Sequence, residues 1–426
     1  MSLPRFAAFA RWLAGGALIF APWAFGATEP WALRTLEVVV GAALGFALLG
    51  GWRKLFAGQR WWWPAAALAV YLTVQALNAS HQFLPADQSL AVRPHIAWLP
   101  RSAVANATWE TLGKFLMYVA LAGVIQACFP HRAQRKWLLT ALVVSGFVLA
   151  VVGLAQHGAG VRRLLWVRTP QPHSDYFASF VNPNNYAAYA NLLIPVALAL
   201  GRNSQRHSAA RTGSHPGVLF YFIAAVLIAT VVIAKSRVGV IVCAGVVAGW
   251  VWQERRTGGD ARQALWLAAG LLVLAVALIG LVGLGPLPDK LRSWDMGLRS
   301  WRELRVTAYG ATLAMFADRW LFGVGAGAFQ FVFPYYQPAE LTGFWRYAHS
   351  DWLQYLAELG VVGFALLAKM GVMLVRTRAS GPRSALSIAC GLALAGVGAH
   401  ALVDFPLHVP AIGCHAVVFA VLVSGR

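Results

Sequence analysis

The sequence predicts an all-α polytopic membrane protein with about twelve transmembrane helices and one long external loop. Three observations lead there. The 426-residue chain is 59% hydrophobic and only 12% charged, with a mean hydropathy of +0.61, a composition foreign to soluble domains. Apolar runs long enough to cross a bilayer core about 30 Å thick recur along it, and backbone groups in lipid must be satisfied within their own segment, so the spans are helices. Finally, Arg and Lys gather in short clusters between alternate runs.

In order, the spans fall at 8–26, 32–50, 61–80, 110–128, 137–157, 181–200, 218–235, 238–252, 264–285, 352–375, 384–402 and 410–424. Compact basic turns separate them on one side: Arg53-Lys54 with Arg60, Arg132 with Arg135-Lys136, Arg202 with Arg206 and Arg211, Arg255-Arg256 with Arg262, and Arg376 with Arg378 and Arg383. The positive-inside rule makes that side cytoplasmic and puts both termini there. The net charge of +20 is then a topology signal, and no nucleic-acid partner is expected. The external segments are 81–109, 158–180, 286–350 and the turn Asp404-Phe405-Pro406. Residues 1–426 read as a single integral membrane domain, with the 286–350 loop inserted between spans nine and ten.

Arg5 and Arg11 precede the first apolar run without a small-residue cleavage site after it, so that run is expected to persist as a span. Cys128, Cys243, Cys390 and Cys414 all lie in apolar runs with no ligand spacing and read as small buried hydrophobes. Trp61-Trp62-Trp63 marks a membrane interface. Glu37 and Lys114 lie in apolar surroundings, where each is either a functional charge or a side chain reaching for the surface.

Chemistry concentrates in the external turns. Phe180-Val181-Asn182-Pro183-Asn184-Asn185 opens the sixth span: Asn182 suits an N-cap and Pro183 a helix start, while Asn182, Asn184 and Asn185 could equally hydrogen-bond a sugar or phosphate. Lys235-Ser236-Arg237-Val238-Gly239 forms a tight turn. It places Arg237 at a helix N-terminus, where free N–H groups and a planar guanidinium favour an anion; the alternative is a cation snorkelling to lipid headgroups. Within the long loop, Leu291, Trp294, Leu298, Trp301, Arg305, Ala308, Thr312 and Met315 form one stripe of an amphipathic helix running to about Asp318. Arg305 is the stripe's only charge; Arg292, Arg299, Arg302 and Glu303 lie off it. A cation on a buried face calls for a partner, either a ligand phosphate or a carboxylate. Phe322-Gly323-Val324-Gly325-Ala326-Gly327 has no preceding strand, so a dinucleotide fingerprint fails and a loop of close backbone approach is expected.

His349 precedes the tenth span. Asp351 and Gln354 have capping-box spacing, which starts the helix at Ser350 or Asp351. The positive potential there favours the neutral imidazole that a general base needs. Asp351, Gln354 and Glu358 share a face, and Gly360 and Gly363 would allow close helix packing. Asp404 is placed to orient the histidine or pair with an arginine, or else serves its turn alone.

These residues resemble the O-antigen ligase family, which holds lipopolysaccharide ligases, polysaccharide polymerases and protein-directed O-oligosaccharyltransferases. His349-Ser350, nine residues, then Gly360-x-x-Gly363 matches the family's H-[N/S/Q]-x9-G-x-x-G signature. Arg305 followed by Asp318-Arg319-Trp320-Leu321-Phe322-Gly323-Val324-Gly325 is similar to a second block, with Trp320 where proline is usual. Ser236-Arg237-x-Gly239 and Phe180-x-Asn182-x-Asn184 look like two more. The resemblance covers about 180–410. It implies a GT-C-like membrane glycosyltransferase in the bacterial inner membrane, with its active site facing the periplasm. The implied donor is a polysaccharide on undecaprenyl diphosphate, and the implied acceptor, for a ligase, is a sugar hydroxyl of lipid A core. Arg237 and Arg305 would hold the diphosphate, His349 would activate the hydroxyl, and Asp404 would stand near the site. Ser236, Asp351, Arg302 and the three asparagines complete the expected substrate contacts.

Two arginines can stabilise a diphosphate leaving group, and no carboxylate cluster has metal-ligand spacing. Transfer without metal or cofactor, inverting in one step, is therefore expected. A polymerase shares these motifs and differs in acceptor. A transporter of lipid-linked sugars would instead need midplane charges and inverted repeats with broken helices.

Overall fold

The computed structural model describes residues 3–51, 55, 60–160, 163–169, 175–208, 217–256, 261–282, 304–376 and 384–424. Each of the twelve apolar runs folds as a helix: α1 (Leu3–Trp23), α2 (Pro30–Leu49), α3 (Trp62–Leu77), α4 (Ala105–Cys128), α5 (Arg132–Gly158), α6 (Pro183–Ser208), α7 (Gly217–Ile233), α8 (Arg237–Arg256), α9 (Ala261–Val282), and, beyond α10 (residues 304–318), α11 (Asp351–Val375), α12 (Ala385–His400) and α13 (Pro410–Ser424). Five are long and apolar enough to cross a membrane by themselves: Arg5–Trp23, Pro30–Leu49, Ala105–Cys128, Arg132–Gly158 and Asp351–Val375. The chain is an all-α, multi-pass membrane protein. Helices α3, α7, α12 and α13 are apolar but shorter. A helix of their size rises only about 25 Å, so helix length alone does not establish twelve crossings.

Helix α6 is the axis of the bundle. Every residue from Asn185 to Gly201 is buried, and α7, α8 and α12 pack around it. Small residues set the spacing: a Cβ on Gly239 of α8 would come within 2.5 Å of Ala187 on α6, and Asn191 donates to the Gly239 carbonyl at 2.9 Å. The N-termini of α6 and α8 therefore stand at the same end.

Two local features differ from the sequence expectation. Helix α4 begins at Ala105 rather than near 110, and the segment before it contains an antiparallel hairpin, β1 (His81–Leu84) with β2 (Ser89–Val92), in the register His81 to Val92. Strands of four residues are too short to register in a hydropathy profile. Glu37 and Lys114, left open above, are both paired: Glu37 with Arg34 at 2.6 Å and Lys114 with Glu110 at 2.7 Å.

Helix α11 is broken. Gly360 has φ 62° and ψ −176°, and the glycine-rich segment threads into the gap. Val324 and Gly325 N–H donate to the carbonyls of Ala357 and Glu358 at 3.0 and 2.9 Å, while Val361 and Val362 N–H donate to Trp320 and Leu321 at 2.8 and 3.2 Å. Tyr71 Oη closes the junction, within 2.7 Å of the carbonyls of both Phe322 and Leu359. Close helix packing is found at Gly363, where a Cβ would meet the Tyr71 ring at 2.7 Å. At Gly360 the expectation fails, because there the helix stops to admit another backbone.

Candidate active site

Helix α10 brings one end of the site into place. Of the expected stripe, Arg305, Ala308, Thr312 and Met315 are buried; Leu291 through Trp301, and Arg302, lie outside the described residues. The stripe turns into the protein, against Phe329, Phe333, Ala348 and Ala357, while Leu304, Val306 and Leu313 are exposed on other faces.

Asp404, in the turn after α12, is fully buried and joins three of the expected residues. Its Oδ2 accepts from Asn184 Nδ2 at 2.7 Å and faces Arg305 Nη2 at 3.5 Å. Its Oδ1 lies 3.4 Å from His349 Nδ1 and accepts the Phe405 N–H at 3.0 Å. Arg305 Nη1 donates to the Val403 carbonyl. Burial alone would raise the Asp404 carboxyl, but the His349 hydrogen bond and the Arg305 charge outweigh it, and its pKa falls well below the ordinary value. The carboxylate is thus a fixed negative centre between an imidazole and a guanidinium.

His349 is held from several sides. Its backbone is left-handed at φ 55°, a strained conformation for histidine that occurs where surroundings over-determine it. Tyr309 Oη donates to its carbonyl at 2.8 Å; burial raises the Tyr309 phenol despite the nearby Arg305, so it remains a donor. Trp345 and Phe405 meet the ring edge-on, with centroids 5.5 and 5.0 Å away. The imidazole is part-exposed, and among the described residues no hydrogen bond engages Nε2.

The cap expected at Asn182 forms beside this cluster, and serines cap two further helices. Asn182 Oδ1 accepts the Asn184 N–H at 2.9 Å, and α6 starts at Pro183. Asn185 is buried, and its Oδ1 has no partner among the described residues. Ser236 is buried and caps α8 by accepting the Gly239 N–H at 3.1 Å; Arg237 begins α8, part-exposed, at the same end as Asn184. Ser350 caps α11, but Gln354 reaches back to the Ala348 N–H at 3.0 Å rather than closing a capping box.

Asp351 is engaged by the turn after α12. Its carboxylate contacts His408 Nδ1 and accepts the Leu407 N–H at 2.8 Å, and its own N–H reaches the carbonyls of Ala401 and Asp404. His408 was missed in the sequence, as was Glu358 as an anchor: its carboxylate accepts the N–H groups of Gly327 and Phe329 at 2.8 and 3.2 Å. The only signal for His408 was its place four residues after Asp404 in a short polar turn.

A buried carboxylate thus stands between a part-exposed histidine and an arginine in a helical, multi-pass membrane bundle. The family model described as O-Antigen ligase matches residues 222–368, a segment that contains Arg237, Arg305 and His349. A search of curated proteins finds no match.

Proposed function

We propose that the chain is a glycosyltransferase that moves a polysaccharide, the O-antigen, from undecaprenyl diphosphate to a sugar hydroxyl of lipid A core, at the periplasmic face of the bacterial inner membrane. The observation that carries this reading is Asp404 bridging His349 and Arg305 through its two carboxylate oxygens. If Nδ1–H donates to Asp404, Nε2 carries the lone pair and can take the acceptor's hydroxyl proton. The acceptor oxygen then bonds the anomeric carbon as the bond to the diphosphate breaks. The electron pair leaves on the diphosphate, whose growing charge Arg305 and Arg237 stabilise. One displacement inverts the anomeric centre.

The guanidiniums supply the positive charge in this scheme, so transfer should persist in EDTA. Twelve crossings and a GT-C-like arrangement accompany the reading. The break in α11 is a feature of transporters too, but here the opened backbone groups pair with the 320–325 segment, which favours a fixed scaffold over a moving gate.

The test is His349→Ala, with surface polysaccharide and lipid-linked precursor both assayed. A ligase loses capped lipopolysaccharide while long precursor chains accumulate; a polymerase stops making long chains at all. Normal capping by the variant would remove His349 from the mechanism.

A further inference from the structure

A second cavity, of about 360 Å³, opens beside the β1–β2 hairpin and is lined by His81, His95, Arg101, Arg319, Tyr335 and Tyr336, among others. Val324, part of its wall, bonds α11 along one edge and Ala103 along the other. Ala103 lines the cavity, as does Gly323, which meets α11 at Gly360. Arg319 directly follows α10, whose first turn carries Arg305. At 1.5 Å per residue the two arginines stand roughly 20 Å apart.

The lining carries two arginines and two histidines. Arg101 Nη1 lies 2.6 Å from His95 Nε2, and Arg319 is exposed. Among the described residues neither arginine has a carboxylate partner. The nearest acidic side chain in sequence, Asp318, accepts a hydrogen bond from Tyr336 Oη at 2.7 Å. Burial, and then the like charge of Arg319, lowers the Arg101 pKa. Two guanidiniums of like charge lining one cavity, with the Tyr335 hydroxyl on its wall, suit a tetrahedral oxyanion with several acceptor oxygens.

We propose that this cavity is a second anion-binding site, taking a phosphate group carried by a lipid or glycolipid at the membrane surface, separate from the His349–Asp404–Arg305 cluster. The proposal does not depend on which reaction the cluster performs.

The test uses the full-length protein in dodecyl maltoside with two probes, glucosamine 1-phosphate and dihexanoylphosphatidic acid, measured by native mass spectrometry. Arg319→Glu and Arg101→Gln are compared with Arg305→Gln; Arg319 is exposed, so its variant leaves folding intact. The expected result is two bound anions in the wild type and a loss of about tenfold or more in the affinity of one of them in both cavity variants, the scale of one charge-assisted contact. Arg305→Gln should weaken the other. A preference for the lipid probe assigns the site to headgroups, and equal binding assigns it to the phosphate alone. Wild-type binding in both cavity variants would overturn the proposal. If only Arg305→Gln loses an anion, the second site falls while the proposed function stands. If only the cavity variants do, the second site stands and the role given to Arg305 does not.

Discussion

Gly323 and Gly360 meet backbone to backbone: a Cβ built on either would lie 2.5 Å from the amide nitrogen of the other. Both have positive φ, 71° and 62°. The first glycine of the G-x-x-G pair in the signature thus serves as the point where a membrane helix opens to receive a second chain segment.

Gly360→Ala should therefore cost more than an ordinary helix substitution. The added Cβ would lie 2.4 Å from the Leu321 carbonyl oxygen, and the backbone at φ 62° and ψ −176°, a region essentially confined to glycine, alone costs alanine about 1–3 kcal/mol. The variant is expected to unfold at distinctly lower temperature in detergent. Gly371→Ala, in the same helix with open space beside it, should change little. Equal melting of the two would refute the role of the break.

Tyr71→Phe removes the hydroxyl shared by the Phe322 and Leu359 carbonyls while keeping the ring against Gly363. Leaving buried acceptors short of a donor costs about 1–3 kcal/mol. Gln75 still donates to Phe322 at 2.8 Å, so the loss should fall at the low end. Thermal denaturation measures it, and an unchanged midpoint would show that the junction holds without Tyr71.

Asp404→Asn tests the buried bridge. An amide cannot balance Arg305, and breaking a buried pair from one side costs about 3 kcal/mol or more. The pH dependence has a definite sign. Because the folded Asp404 pKa is depressed, its stabilisation is complete above the ordinary carboxylate pKa of about 4 and is lost as pH falls through the lower folded value. Wild type and variant should differ most near neutral pH and converge in strong acid. A stability gap independent of pH would mean that the carboxylate charge is not what matters.

What the sequence made legible was local. Asn182 was readable as a cap, and Ser350 as a possible start of α11, because each bonds a backbone group two or three residues away; Ser236, which caps α8 in the same way, was read only as part of a turn and a substrate contact. Arg305, Ala308, Thr312 and Met315 were readable as one face of α10 because helical periodicity needs only one helix. The partners of Asp404 were not fixed by such signals, since His349 and Arg305 lie 55 and 99 residues away. Asp351 shows the limit from the other side: its spacing suggested a cap and a substrate contact, yet its carboxylate is engaged by His408 and Leu407. The break at Gly360 decides how α11 and the glycine-rich segment meet, and a hydropathy profile averages across it.

Arg305→Lys separates charge from geometry. The guanidinium reaches the Val403 carbonyl through Nη1 and Asp404 through Nη2, and a planar fork can do both while presenting its remaining N–H to a ligand. An ammonium keeps the charge and loses the fork. If Arg305 stabilises the departing diphosphate, lysine should lower kcat by on the order of 10²-fold with a smaller change in KM, because the interaction grows as the leaving group gains charge. Stability should fall less than in Asp404→Asn, since the pair is kept. Steady-state kinetics with a lipid-linked donor, alongside a melting curve, gives both numbers. A rise in KM at constant kcat would instead make Arg305 a substrate-docking residue that treats ground and transition states alike.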